Sequence, residues 1–255
     1  MRAKIMCLHG FRQTSSNFAL NTAAFRKRLK QTATFEFIDA PHPLADPPPE
    51  LQHHGPLARS RLGWMVTPTQ FSSDHLTVPD DADATQYQRQ ICGWEESLQV
   101  LEHAFNSADP PFDGILGFSQ GAAVAAVLAA LESKKPPEQR RFKFVICCSG
   151  YMSRHEEHQH ILHPSSSLSS EYEAIDMPSL HLFCADDKLA TAAKKDYQIA
   201  EQESRALASC FNPSSTRCIV HTRGHSIPFT PDITNAVKTF IEECMTPTAA
   251  TTTSI

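Results

Sequence analysis

The residues best suited to chemistry in this chain are a serine, a histidine and a pair of aspartates, each placed where a hydrophobic run breaks. Ser119 lies in Gly117-Phe118-Ser119-Gln120-Gly121, a G-x-S-x-G run directly after the apolar stretch Gly114 to Leu116 and before a small-residue apolar pattern, Ala122 to Leu131. A serine on a sharp strand-to-helix turn is strained and presented outward, and glycine flanks it because side chains there would strike neighbouring backbone. The helix N-terminus behind it supplies free N–H groups and a positive dipole end, both suited to a developing oxyanion. The pattern predicts a serine nucleophile.

Such a serine needs a base, and on a strand-turn-helix scaffold the partners follow in the order Ser, Asp or Glu, then His, each after a later strand. The run Leu180 to Cys184 ends in Ala185-Asp186-Asp187, and the run ending at His221 is followed by Arg223-Gly224-His225-Ser226-Ile227-Pro228. His225 is therefore expected as the general base, with Asp186 or Asp187 fixing its tautomer and stabilising the imidazolium. Adjacent acids at a strand end also serve as helix caps or solvated surface. The oxyanion requires two backbone donors: the N–H of Gln120 and one from His9-Gly10-Phe11-Arg12, where Phe11 is favoured over Arg12.

These residues need elements to hold them. Ile5 to Leu8, Phe35 to Ile38, Gly114 to Leu116, Phe142 to Cys148, Leu180 to Cys184 and Cys218 to His221 read as strands too continuously apolar to have a solvated face. Helical spacing lies between them, clearest in Ile91, Trp94, Leu98, Leu101 and Phe105, and again in Ile233, Val237, Phe240, Ile241 and Cys244. Thr230-Pro231 supplies an N-cap and first-turn proline for the last helix. Alternating strands and helices predict a doubly wound α/β domain over residues 1–245, its mainly parallel sheet covered on both faces. Residues 40–86, rich in proline, and 151–177, rich in His, Ser and Glu, read as pocket or lid loops. The Thr/Ala-rich tail 246–255 reads as disordered; Thr253-Ser254-Ile255 fits a PDZ-type groove, but so short a pattern is commonly matched by chance.

Composition narrows the classes. In 255 residues, 41% hydrophobic, Lys and Arg number 23 against 28 Asp and Glu, a net charge of -5, which argues against nucleic-acid, polybasic-membrane and disordered classes. The N-terminal apolar run before His9-Gly10 is too short for a signal peptide or membrane span. Cys7, Cys147, Cys148 and Cys184 lie in apolar runs and no C-x-x-C pair occurs, so free buried thiols and a cytoplasmic setting, or the nucleus, are expected. With only nine glycines, the placing of Gly10, Gly117, Gly121 and Gly224 beside the oxyanion loop, the serine and the base is informative.

Leu8-His9-Gly10-Phe11-Arg12-Gln13, Pro111-Phe112-Asp113-Gly114, the Gly117-to-Ala122 elbow, Ser149-Gly150-Tyr151 and Gly224-His225-Ser226-Ile227-Pro228 together resemble the FSH family of serine hydrolases, most closely its ovarian-tumour-associated (OVCA) esterase branch. Gly63-Trp64 and Gly93-Trp94-Glu95-Glu96-Ser97-Leu98 extend the resemblance over about residues 3–244. It implies an α/β-hydrolase fold, a Ser-Asp-His triad and esterase activity favouring long unbranched acyl chains. The family's G-x-x-D-x-[VI] acid pattern, aligned here, puts Asp187 at the acid. Two departures fall in that loop: Cys184 replaces the glycine, and Ala190-Thr191 stands where a branched residue and proline are common.

The remaining expectations are an acyl ester or thioester as small-molecule partner, no cofactor or metal, no nucleic acid and no stable membrane association. Arg12, Trp64 and Phe118 are candidate substrate-binding residues, with Met65 and Phe71 as further candidates for an acyl pocket, although aromatic and Met residues are as often core. His155 and His158 are three apart, not the four that would put two zinc ligands on one helix face, so His155 to His163 reads as a solvated lid, and His53-His54 as surface loop. An acyl-protein or polyketide-releasing thioesterase would use the same machinery, and a ligand receptor with a silent triad is the rival from another class.

Overall fold

In a computed structural model, residues 2–44, 61–68, 86–162, 174–185 and 199–246 are described. The expected apolar runs form β1 (Ala3–Leu8), β2 (Ala33–Ile38), β5 (Gly114–Phe118), β6 (Phe144–Cys148), β7 (Ser179–Cys184) and β8 (Thr216–His221), while β3 (His42–Pro43) and β4 (Leu62–Gly63) make a small antiparallel pair. The six longer strands pair in parallel in the order β2-β1-β5-β6-β7-β8. The order reverses between β1 and β5, and the crevice beyond the strand ends at such a switch point is where open α/β sheets bind ligands. Leu8 pairs with Gly117 there, so the chain leaving β1 and the chain leaving β5 emerge side by side.

A parallel sheet is stable only when both faces are covered. One face carries α3 (Trp94–Ser107), α4 (Gln120–Ser133) and α5 (Glu156–Leu162), with α6 (Glu201–Ala208); the other carries α1 (Ser15–Asn21), α2 (Ala23–Arg28) and α7 (Pro231–Met245). Helix α4 is apolar almost all round because it is buried all round, lying between β5, β6 and α5. Its position fixes the strand-to-helix turn at Ser119 against rigid neighbours on every side. No helix among the described residues is long and apolar enough to cross a membrane.

Several expectations needed correction. The strand at Cys218 to His221 does have a solvated face: β8 is an edge strand, and Cys218 and Val220 are exposed. Helix α3 starts at Trp94, leaving Ile91 exposed, because Gly93 turns the chain with φ 86°. The 40–86 excursion contains the β3–β4 pair, and the 151–177 excursion contains α5. Thr230 occupies the N-cap of α7 by position but makes no side-chain cap bond there. Cys7, Cys147 and Cys148 are buried as expected, Cys184 is half-buried, and all eight cysteines are free thiols.

Candidate active site

The site starts from one backbone conformation. Ser119 has φ 54° and ψ -116°, a region that disfavours side chains and costs about 1–3 kcal/mol. The sequence tolerates it because the surroundings permit nothing else. Ser119 N–H donates to the Cys148 carbonyl at 2.8 Å, prolonging the β5–β6 ladder, while its own carbonyl accepts from Ala122 and Ala123 at 3.0 and 3.2 Å, starting α4. A side chain at position 117 would put Cβ 2.3 Å from the Gly121 carbonyl oxygen, and one at 121 would come 2.2 Å from that of Leu8. The two flanking glycines are thus steric requirements, as the motif implied.

The chain leaving β1 is held by a polar network around His9. Trp64 Nε1 donates to the His9 carbonyl at 2.9 Å, and Ala40 N–H donates to His9 Nε2 at 3.1 Å. Since Nε2 accepts, Nδ1 carries the proton and donates it to the Gly10 carbonyl at 2.8 Å. Burial pushes this imidazole below its ordinary pKa, which keeps it neutral and suits that tautomer. Gly10 N–H donates to Gln13 Oε1, Gln13 N–H to the Gly10 carbonyl, and Arg12 N–H to the Leu62 carbonyl at 2.9 Å. Among the described residues the Phe11 N–H, unlike those of Gly10, Arg12 and Gln13, is left without a partner. The Gln120 N–H, first in its helix, has no intrahelical acceptor either. A Cβ on Gly10 would sit 3.2 Å from Ser119 Cβ, which measures how closely this loop and Ser119 approach.

The Gln120 side chain, which the motif offered only as a backbone donor, ties the site together. It is buried, accepts from Trp64 N–H at 2.7 Å, and donates to the Met65 carbonyl and to Gln90 Oε1, each at 2.7 Å. Gln90 Oε1 also accepts from the Tyr151 hydroxyl at 2.8 Å, and burial raises the pKa of that phenol, keeping it a donor. Ser97 Oγ adds a bond to the Trp64 carbonyl at 2.6 Å. Only the polar type of Gln120, set among apolar residues at a helix start, hinted at this role. Ser149, which the sequence marked only as part of a motif, lies one step beyond the Phe118–Cys148 pair, with φ 49° and a buried hydroxyl that has no partner among the described residues.

His225 returns over the strand ends to the neighbour of Ser119: its ring centroid lies 4.8 Å from that of Phe118. Burial lowers its pKa to about 4. No hydrogen bond joins Ser119 to His225 among the described residues; bases in unliganded sites often stand off in this way and tighten with substrate. Asp186 and Asp187, with Ala190 and Thr191, lie outside the described residues. The strand before them is described: Cys184 pairs with His221, and Ala185 N–H donates to the His221 carbonyl, so the chains leaving β7 and β8 begin side by side.

Of the substrate-binding candidates, Phe118 lines a cavity of about 530 Å³ beside His225. Trp64 does not: it is 0% exposed, with its indole N–H spent on His9, and belongs to the core that supports the loop. Met65 is likewise buried, Arg12 turns with φ 66° and stacks over Phe11, and Phe71 lies outside the described residues. The solvated lid is contradicted at His158, which is 1% exposed, packs edge-on against Trp94 and has its pKa lowered to about 3 by burial. His163 and His53-His54 are outside the described residues, and among those described no group of three or more His, Cys, Asp or Glu could hold a metal.

A parallel sheet with a strained serine at its switch point is the α/β-hydrolase fold, and the chain superposes on solved structures of that fold. Esterase PE8 covers 96% of this chain and 93% of its own with a TM-score of 0.58 at 17% identity. TT1662 from Thermus thermophilus covers 97% and 90% with a TM-score of 0.51, also at 17% identity. Within the fold, the chain belongs to the FSH1 serine hydrolase family, whose model, described as "Serine hydrolase (FSH1)", matches residues 1–237. It is similar to human "Esterase OVCA2", 34% identical over 94% of this chain and 96% of that protein, and to the Danio rerio protein of the same name, 32% identical over 88% and 90%. "Rhodanese-like domain-containing protein 6" of Arabidopsis thaliana is 35% identical over 94% of this chain, which spans 39% of that protein's length. These relatives bear out the serine esterase, and the branch of the family, expected from the motifs.

Proposed function

We propose that the chain hydrolyses carboxylic esters through an acyl-enzyme on Ser119, with long-chain acyl esters as substrates. The observation that carries this reading is the strained Ser119 backbone beside two N–H groups, of Phe11 and Gln120, that nothing among the described residues occupies. Ser119 Oγ attacks the acyl carbon while His225 takes its proton, and the two N–H groups receive the oxyanion. Collapse of the tetrahedral adduct breaks the bond to the leaving oxygen, to which His225 returns the proton. Water then attacks the acyl-enzyme with His225 again as base, releasing the acid and restoring Ser119. Asp187 orients the imidazole. Burial keeps His225 neutral and ready to accept at neutral pH, which is what the first step needs.

The free N–H of Phe11 and the occupied N–H of Arg12 favour Phe11 as the second oxyanion donor. Eight free thiols suit a reducing compartment such as the cytoplasm. The test is a chain-length series of matched alkyl esters and thioesters on the native chain and on Ser119→Ala. An optimum at long acyl chains with oxygen esters preferred, lost in the variant, is expected. Thioester preference makes the protein a thioesterase, and a flat series removes the long-chain assignment.

A further inference from the structure

The cavity beside His225 is built from two kinds of wall. Phe18, Phe118, Ile227, Pro228 and Phe229 give it an apolar lining, and Phe229 stays half exposed at its rim. Arg28, the last residue of α2, and Arg223, which precedes Gly224-His225, are both exposed and line the same space. Neither guanidinium makes a hydrogen bond or ion pair among the described residues, whereas Arg140, Arg141, Arg154, Arg205 and Arg217 are each tied to a carboxylate. No aspartate or glutamate among the described residues lines the cavity; Asp232, whose carboxyl is held low by the Thr230 hydroxyl and in part by Arg223, lies outside its wall. Thr230 and Pro231, at the N-terminus of the fifteen-residue helix α7, complete the lining with a positive dipole end. In a chain of net charge -5 the described lining carries two arginines and no carboxylate, around an apolar chamber of about 530 Å³, well within the size of small-molecule sites.

The side of the site matters. His225 hands its proton to the leaving oxygen, so the leaving group lies on the imidazole's side of the scissile bond. The imidazole is itself part of this cavity's wall. We propose that the cavity receives the leaving-group half of the substrate, and that this half is an apolar arm ending in an anion, a carboxylate or a phosphate, held by Arg28 and Arg223. The assignment rests on the esterase reading and adds the charge and the location of the alcohol. Guanidinium groups suit it because they bind both anions through paired N–H donors and are weakly hydrated.

The test uses three acetate esters of equal arm length: octyl acetate, ω-acetoxyoctanoate and ω-acetoxyoctyl phosphate. On the native chain the two anionic esters should exceed the neutral one in kcat/KM by about tenfold or more. The ratio of anionic to neutral should fall toward one in Arg28→Gln and in the double variant Arg28→Gln/Arg223→Gln, mainly through KM. The two anionic arms tell a carboxylate site from a phosphate site. In parallel, octyl phosphate and octanoate are titrated calorimetrically into Ser119→Ala, with and without Arg28→Gln, and binding should weaken about tenfold when the arginine is lost. Esters hydrolysed with no anionic preference, or a preference that survives the double variant, overturn the anion site and leave the esterase standing. Arginine-dependent binding with no turnover of these acetates or of the long-chain acyl series upholds the anion site and overturns the esterase.

Discussion

Replacing Gln120 by alanine should unfasten the loop that shapes the site while leaving Ser119 in place. The variant removes the acceptor of Trp64 N–H and the donors to the Met65 carbonyl and Gln90 Oε1, all at 2.7 Å. Gln90 keeps its bond from the Tyr151 hydroxyl, but the two backbone groups lose theirs inside the core. A buried backbone group left unpaired costs about 1–3 kcal/mol, so the pair should cost about 2–6 kcal/mol, toward the lower figure if water enters the space. In a chain of this size 1 kcal/mol moves Tm by roughly 2–4 °C, so a drop of about 5–20 °C is expected. Because the Trp64 indole also anchors the His9 carbonyl, slack at Trp64 should reach the Phe11 N–H and lower kcat by about tenfold, short of the loss from deleting an oxyanion donor. Thermal and urea unfolding read the first effect, and turnover of a single ester below the new Tm reads the second. A Tm within about 2 °C of the native chain, a shift worth under roughly 1 kcal/mol, would refute the network's role.

Further outcomes follow from the same geometry. Ser119→Gly should abolish turnover yet raise stability by up to about 2 kcal/mol, because glycine relaxes the strained φ of 54°; a destabilised variant would mean the strain is not there. Gly121→Ala should be severely destabilising or fail to fold, its Cβ falling 2.2 Å from the Leu8 carbonyl, and near-native urea unfolding would contradict that contact. If Asp187 faces His225, Asp187→Asn should move the acid limb of kcat/KM down toward the value of about 4 that burial alone sets, and cut kcat by about three to four orders of magnitude; an unmoved limb removes Asp187 from the triad. His158 and His181 are both buried at about 3 against an ordinary 6.5, so the unfolded chain binds more protons between those values. Stability present at neutral pH should therefore fall as pH drops from about 6.5 toward 3, and urea midpoints that stay flat across that window would oppose it.

What could be read in the sequence was what local chemistry enforces. Gly117 and Gly121 flag the serine turn because no other residue fits beside Leu8 and α4, and β5 and β6 announce themselves by lacking polar residues on either face. What could not be read depends on which residues meet across the fold. Cys218 to His221 looks like a central strand because it is apolar, but its place at the sheet edge comes from topology. His158 looked solvated beside Glu156 and Glu157, yet the turn of α5 points it at Trp94. Trp64 seemed a pocket aromatic, and only the bond from its indole to His9 identifies it as a support. The link between Gln120 and Gln90 spans thirty residues and carries no sequence signal beyond two amides.

The most direct test is active-site labelling of the folded chain with a fluorophosphonate, followed by peptide mapping. The geometry predicts one adduct, on Ser119, absent in Ser119→Ala and in heat-denatured protein, with ester turnover lost in step with labelling. An unlabelled Ser119 in folded protein, an adduct on another residue, or ester hydrolysis surviving in Ser119→Ala would contradict the assignment of the nucleophile and the mechanism built on it.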